Sequence, residues 1–175
     1  MTAERQESCR RRPGLALIGL LAGLAAFGGL EAGFWTGVGT ALGATTERVV
    51  VNRYTGLAIE GFDPVAYFVD TRPVRGLPDF EAAAEGAVWR FRNDSNRSAF
   101  VAHPEIYGPQ FGGYDPIDLA RGVTFAGNPR FWLISGQRLY LFGREDNRDA
   151  FAADPGGFLR EANLRWPQLE QNLAQ

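Results

Sequence analysis

Lysine is absent. All 18 basic residues of this 175-residue chain are arginine, and against 20 acidic residues they leave a formal net charge of -2. Without a cationic surplus, little is gained by displacing phosphate counterions, which excludes the ordinary nucleic-acid binder. Cysteine and histidine occur once each. That excludes zinc fingers, thiolate-held iron–sulfur clusters and intramolecular disulfides, all of which need several such ligands. What is present is the composition of a folding chain, 45% hydrophobic and 22% charged, at a length suited to one domain with a short appendage.

The first shift in composition is N-terminal. Arg10, Arg11 and Arg12 precede an uncharged stretch from Gly14 to Leu30, and after Glu31 apolar, Gly and Thr residues continue to Ala44. A helix over Gly14–Leu30 would span roughly 25 Å, slightly less than a bilayer's hydrocarbon core. The frequent glycines and the lack of a polar face argue against a helix of a water-soluble core. Basic residues on the N-terminal side predict that this side stays cytoplasmic and that the rest of the chain is carried across. The expectation is a basic tail over 1–13, an uncleaved inner-membrane anchor over 14–44, a linker over 45–55 and a domain over 56–175. The alternative is a cleaved signal segment, for which Ala41-Leu42-Gly43 and Leu42-Gly43-Ala44 are weak sites lying well past the apolar run. Cys9 falls in the tail, before the apolar run, as a thiol with no partner.

An internal repeat organises the remainder. Gly61-Phe62-Asp63-Pro64-Val65 returns 52 residues later as Gly113-Tyr114-Asp115-Pro116-Ile117. From Phe80 to Tyr107 the offset is 51: Phe80 matches Phe131, Phe91 matches Phe142, Asn96-Arg97 matches Asn147-Arg148, and Ala99-Phe100 matches Ala150-Phe151. The second copy is therefore one residue shorter between Pro64 and Phe80. Two copies are too few for an open solenoid. Units this short bury little alone, so the two predict a shared core about a pseudo-twofold axis.

Each copy, 61–107 and 113–158, reads as a turn or short helix, then a β-hairpin, then a helix, which makes the fold class α+β. Asp-Pro at 63–64 and 115–116 is a helix-start signature, with a carboxylate that accepts from early backbone N–H groups and a proline that needs none. Asp79–Ala84 and Ala87–Phe91 flank a Glu85-Gly86 turn. Phe131–Ile134 and Leu139–Phe142 flank Ser135-Gly136-Gln137-Arg138. For the following helices, Ser95 or Asn96 and Asp146 or Asn147 are the expected side-chain caps. A last helix restarts after Pro155, with Phe158, Leu159, Ala162 and Trp166 on one face, and Pro167 is expected to break or kink it. Phe91, Phe100, Phe142, Phe151 and Trp166 form the predicted aromatic core.

With these motifs in place, the chain resembles the YHS-domain family over about Gly56 to Leu169. The resemblance is carried by Gly61-Phe62-Asp63-Pro64-Val65-Ala66-Tyr67-Phe68, Trp89-Arg90-Phe91, His103-Pro104-Glu105-Ile106-Tyr107 and Gln110-Phe111-Gly112-Gly113-Tyr114. It looks like the exported or membrane-anchored bacterial members. Metal-binding relatives carry cysteine at three positions, and thiolates four residues apart along one helical face suit a soft or borderline metal. Those positions are Ala66, Arg92 and Asn96 in the first copy and Asp118, Gly143 and Asn147 in the second. The exported subgroup's cysteine after Gly-Gly-Tyr is here Asp115. The resemblance thus implies the scaffold without the family's thiol chemistry and without a cofactor.

Two functions remain open. One is a non-catalytic binding or interaction module at the cell envelope, taking a small molecule or an envelope protein in the cleft between its units. Its candidate contacts are Asp63, Asp115 and three tyrosines expected to be exposed, Tyr67, Tyr107 and Tyr114. The other is a metal-dependent carrier or enzyme in which Asp63, Asp115 and Asp118, with His103, bind a hard cation through oxygen. Helix capping alone explains Asp63 and Asp115. No nucleophile elbow, dinucleotide fingerprint or P-loop is present.

Overall fold

The computed structural model describes residues 48–173. The basic tail, the hydrophobic helix expected within 14–44 and the start of the linker lie outside them. Among the described residues no helix is long and apolar enough to cross a membrane. Over the described residues the fold is α+β, with two separate two-stranded antiparallel sheets and six α-helices.

The elements come in the same order twice. A 3-10 turn at Ile59–Gly61 leads into α1 (Ala66–Val69), the hairpin β1 (Leu77–Ala84) and β2 (Ala87–Phe91), and helices α2 (Asp94–Ala102) and α3 (Pro104–Tyr107). A second 3-10 turn at Gln110–Gly113 leads into α4 (Pro116–Ala120), the hairpin β3 (Asn128–Ser135) and β4 (Arg138–Phe142), and helices α5 (Glu145–Ala153) and α6 (Pro155–Leu173). The described part of the expected linker lies against this domain. Val49 is buried, the Val50 amide donates to the Gly112 carbonyl at 2.8 Å, and Val51 bridges Ala58.

Turn chemistry sets both hairpins. Glu85-Gly86 and Gly136-Gln137 all have positive φ, as a two-residue turn that matches the twist of its strands requires. The second turn is therefore tighter than the four residues expected, because Ser135 and Arg138 pair with each other. Each hairpin has a register shift at the same place, between Leu77 and Glu81 and between Asn128 and Trp132. Pro78 and Pro129 fall inside these irregular segments, where a missing donor costs the ladder nothing. Ahead of each hairpin a glycine lets two backbones touch. The amide of Gly127 donates to the Gly113 carbonyl, and a Cβ on Gly127 would lie 2.6 Å from that oxygen.

The helices depart from expectation at their starts. Asn93 caps α2 by accepting from the Asn96 amide, and the cap position of α5 is Arg144, which makes no side-chain cap. Ser95, Asn96, Asp146 and Asn147 all lie inside the helices. Pro167 does not break α6, which runs on to Leu173. Pro167 is exposed, as is Asn163, whose carbonyl it leaves without a helical donor, while Trp166, Leu169 and Leu173 hold the last turns against Tyr114 and Leu119.

The core combines both copies. Its largest cluster joins Ile59, Tyr67, Trp89, Phe91 and Phe100 to Leu139 and Leu141 of β4. A second holds Ile117, Tyr140, Phe142 and Phe151. Of the predicted aromatic core, Phe91, Phe100, Phe142 and Phe151 are fully buried, and Trp166, on α6, is half-buried. Because Leu141 is shared between the copies, Leu141→Ala should cost about 2–5 kcal/mol. Exposed Val101→Ala should stay within about 0.5 kcal/mol. Urea unfolding of the full chain measures both, and equal losses would contradict this core.

Candidate functional site

Two buried carboxylates occupy equivalent places in the two copies. Asp63 is fully buried, and its two oxygens accept from four donors: the Val65 and Ala66 amides at 2.9 and 3.3 Å, the Arg92 amide at 2.9 Å, and Asn96 Nδ2 at 2.7 Å. Asp115, equally buried, accepts from the Ile117 amide at 2.9 Å, the Gly143 amide at 2.8 Å and Asn147 Nδ2 at 2.7 Å. Asp115 therefore caps α4, as its Asp-Pro context predicts, Asp63 closes the turn that leads into α1, and each also clasps the end of a hairpin to the next helix. This second task explains Asn96 and Asn147. Their amides turn inward to the carboxylates and do not cap α2 and α5. Ala66, Arg92 and Asn96, the positions at which the resemblance implies thiols, all donate to Asp63.

Asp118 lies beside the second clasp. Its Oδ1 accepts from Arg121 at 3.2 Å and Arg144 at 3.0 Å, and its Oδ2 from Asn147 at 3.3 Å. The first copy has Ala66 at this position and balances its charge with an Arg92–Asp70 ion pair at 2.7 Å. Asp63 and the Asp115–Asp118 pair thus serve separate clasps. Among the described residues no group of three or more His, Cys, Asp or Glu side chains is placed to hold a metal ion, so the carboxylate set considered for a hard cation does not assemble. His103 is exposed at the end of α2, with Nδ1 3.4 Å from Glu105 Oε1.

A cleft of about 820 Å³ opens between the two copies. Phe68, Val69 and Tyr107 of the first copy face Trp132, Ile134 and Gln137 of the second across it. The Tyr67 ring also reaches the cleft. It meets Trp132 edge-on at 5.2 Å, as Phe68 meets Tyr107 at 5.4 Å. The expectation that Tyr67 is exposed is corrected: it is fully buried, and its hydroxyl donates to the Pro129 carbonyl at 2.8 Å. Tyr114 is also buried, packed with Trp166 on another cluster, and does not line the cleft. Tyr107 lines the cleft and is half-buried. Asp63 and Asp115 belong to the clasps and not to the cleft lining.

No family model, curated protein or solved structure matches the chain. The site's chemistry therefore rests on its own geometry. Arg148 is the one charged residue of the cleft lining, and it is closed off by Asp149 at 2.8 Å and Glu145 at 2.8 Å. The hydrogen bonds it donates to Asp149 raise its pKa further. Burial pushes the Tyr67 phenol far above its ordinary range, with Glu60 and Asp63 adding to the effect. Sequence reasoning missed Trp132, Ile134 and Phe68. The available signal was Phe131-Trp132-Leu133-Ile134, an unbroken apolar run in a hairpin strand, which leaves one apolar face to cover something other than the core.

Two outcomes test this arrangement. Asp63→Ala strands the Arg92 amide and the Asn96 side chain, and should cost about 3 kcal/mol or more in urea unfolding. A loss as small as that of a surface change would show that the clasp is dispensable. Because the folded-state pKa of Tyr67 is raised, its contribution is fully present below the unfolded phenol's pKa of about 10 and is lost as pH climbs past it. Stability should therefore fall more steeply above about pH 10 in the parent chain than in Tyr67→Phe. Tyrosinate absorbance during unfolding reads this directly, and identical slopes would contradict it.

Proposed function

We propose that the chain is a non-catalytic, YHS-like binding or interaction module held at the outer face of a bacterial inner membrane. Its two copies pack about a pseudo-twofold axis, and a hydrophobic helix within 14–44 anchors it. The axis is supported by the doubled element order, the matching hairpin registers and the recurring Asp–Asn clasp. The anchor rests on the arginine cluster and the apolar run that follows it.

One observation carries the binding reading. The carboxylates that would bind a metal are consumed within the scaffold, whereas the cleft between the copies is concave and largely apolar. A small molecule or an envelope protein meets there aromatic side chains with a few polar groups at the rim, the usual make-up of a binding site. No metal is required for either clasp, because each is closed by its own donors.

Elemental analysis of the purified full chain after dialysis tests this reading. The expected result is a folded protein without stoichiometric metal. Retained stoichiometric metal would overturn it in favour of the carboxylate-based carrier or enzyme. A reporter fused after Gln175 should be active in the periplasm, with the chain staying in membranes through a salt wash. Recovery of a soluble chain beginning near Thr45 would replace the anchor with a cleaved signal.

A further inference from the structure

The two hairpins keep one register but differ in what they present to their surroundings. At an offset of 51, Trp132, Leu133 and Ile134 stand where the first copy has Glu81, Ala82 and Ala83. Opposite them, Tyr67 and Phe68 stand where the second copy has Leu119 and Ala120. Large rings and branched side chains are thus gathered at one of the two possible junctions, where they wall the cleft. Core packing alone does not account for this, since Phe68, Tyr107, Trp132 and Ile134 remain only partly buried.

Charge narrows what fits. Arg148, the only ionic lining group, is already shared by two carboxylates, and no carboxylate lines the cleft itself. An anion entering would shed water against apolar walls with no unpaired cation to receive it. Tyr67 and Trp132, like Phe68 and Tyr107, already meet edge-on, so their pairs form a fixed aromatic wall, and the parts of Phe68, Tyr107 and Trp132 left uncovered favour a flat ring laid against that wall. The Gln137 amide, which makes no hydrogen bond among the described residues, stands at the rim to meet one polar substituent.

We propose that this cleft binds an uncharged, planar aromatic compound of one or two rings bearing a hydroxyl or carbonyl group. The proposal rests on the binding-module reading and names the ligand class of its cleft.

Calorimetry on the full chain in lipid nanodiscs, with empty nanodiscs subtracted, tests it using naphthol and its anionic analogue naphthoate. Naphthol should bind saturably, one molecule per chain, and at least about tenfold tighter than naphthoate. Trp132→Ala should weaken naphthol about tenfold. Gln137→Gly, which tolerates the positive φ of that turn and so preserves the fold, should weaken it severalfold. Val101→Ala should leave affinity unchanged.

No saturable naphthol binding, or equal binding of the two probes, overturns the ligand class. Indifference to both Trp132→Ala and Gln137→Gly does so too, by placing the probe elsewhere. A photocrosslinker in place of Phe68 that captures residues 14–44 or a second copy in the probe-free chain would assign the cleft to that occupant and overturn the proposal. None of these results bears on metal content, so the wider reading stands or falls separately.

Discussion

Everything in this fold hangs on a carboxylate removed from water and shared among backbone and amide donors. An aspartate without such donors would be too costly to bury. With them it becomes the one group that fixes three segments at once. Asp63 sets the start of α1, the exit of β2 and the first turn of α2, and Asp115 does the same for α4, β4 and α5. The donors on the far side are a backbone amide and a primary amide. Asparagine is well suited to this because it offers a proton without adding charge. The hairpin ends being pinned, the remaining freedom of each unit lies in which side chains its strands carry.

That freedom has been used unequally. The first hairpin carries Glu81, Ala82 and Ala83 where the second carries Trp132, Leu133 and Ile134. The seam between the copies is closed by Tyr67, whose phenol reaches the Pro129 carbonyl inside the irregular part of β3. Leu139 and Leu141 extend the first copy's core into β4. A doubled scaffold thereby supports one asymmetric recess, with rigid walls because its strands are held through the clasps and through the shared core.

Local chemistry was legible in the sequence and tertiary partnership was not. The repeat, both hairpins and the buried phenylalanines follow from offset, turn residues and apolar spacing, all properties of neighbours along the chain. Asn96 and Asn147 were misjudged because an asparagine near a helix start looks the same whether it caps the helix or donates to a carboxylate about thirty residues away. Tyr67 and Tyr114 were misjudged for a related reason. A phenol suits water or a buried carbonyl equally well, and only the fold decides which it meets. Pro167 interrupts no packing because it and Asn163 are exposed, while Trp166, Leu169 and Leu173 make the contacts of that part of α6. The cleft could not be foreseen residue by residue, since its walls come from separate segments around Phe68, Tyr107 and Trp132 that only the fold brings together.

Two small sheets leave two outer strands, and in each of these a proline lies within the displaced register: Pro78 in β1 and Pro129 in β3. The inner strands are already covered, β2 through the Leu57–Val88 bridge and β4 through Pro109–Leu139. An outer strand that lacks an amide and is kinked out of line makes a poor template for another chain. Charged Asp79, Glu81 and Arg130 on the same strands add to the barrier. The distortion that admits the Tyr67 hydroxyl to a backbone carbonyl therefore also protects the protein against edge-to-edge aggregation.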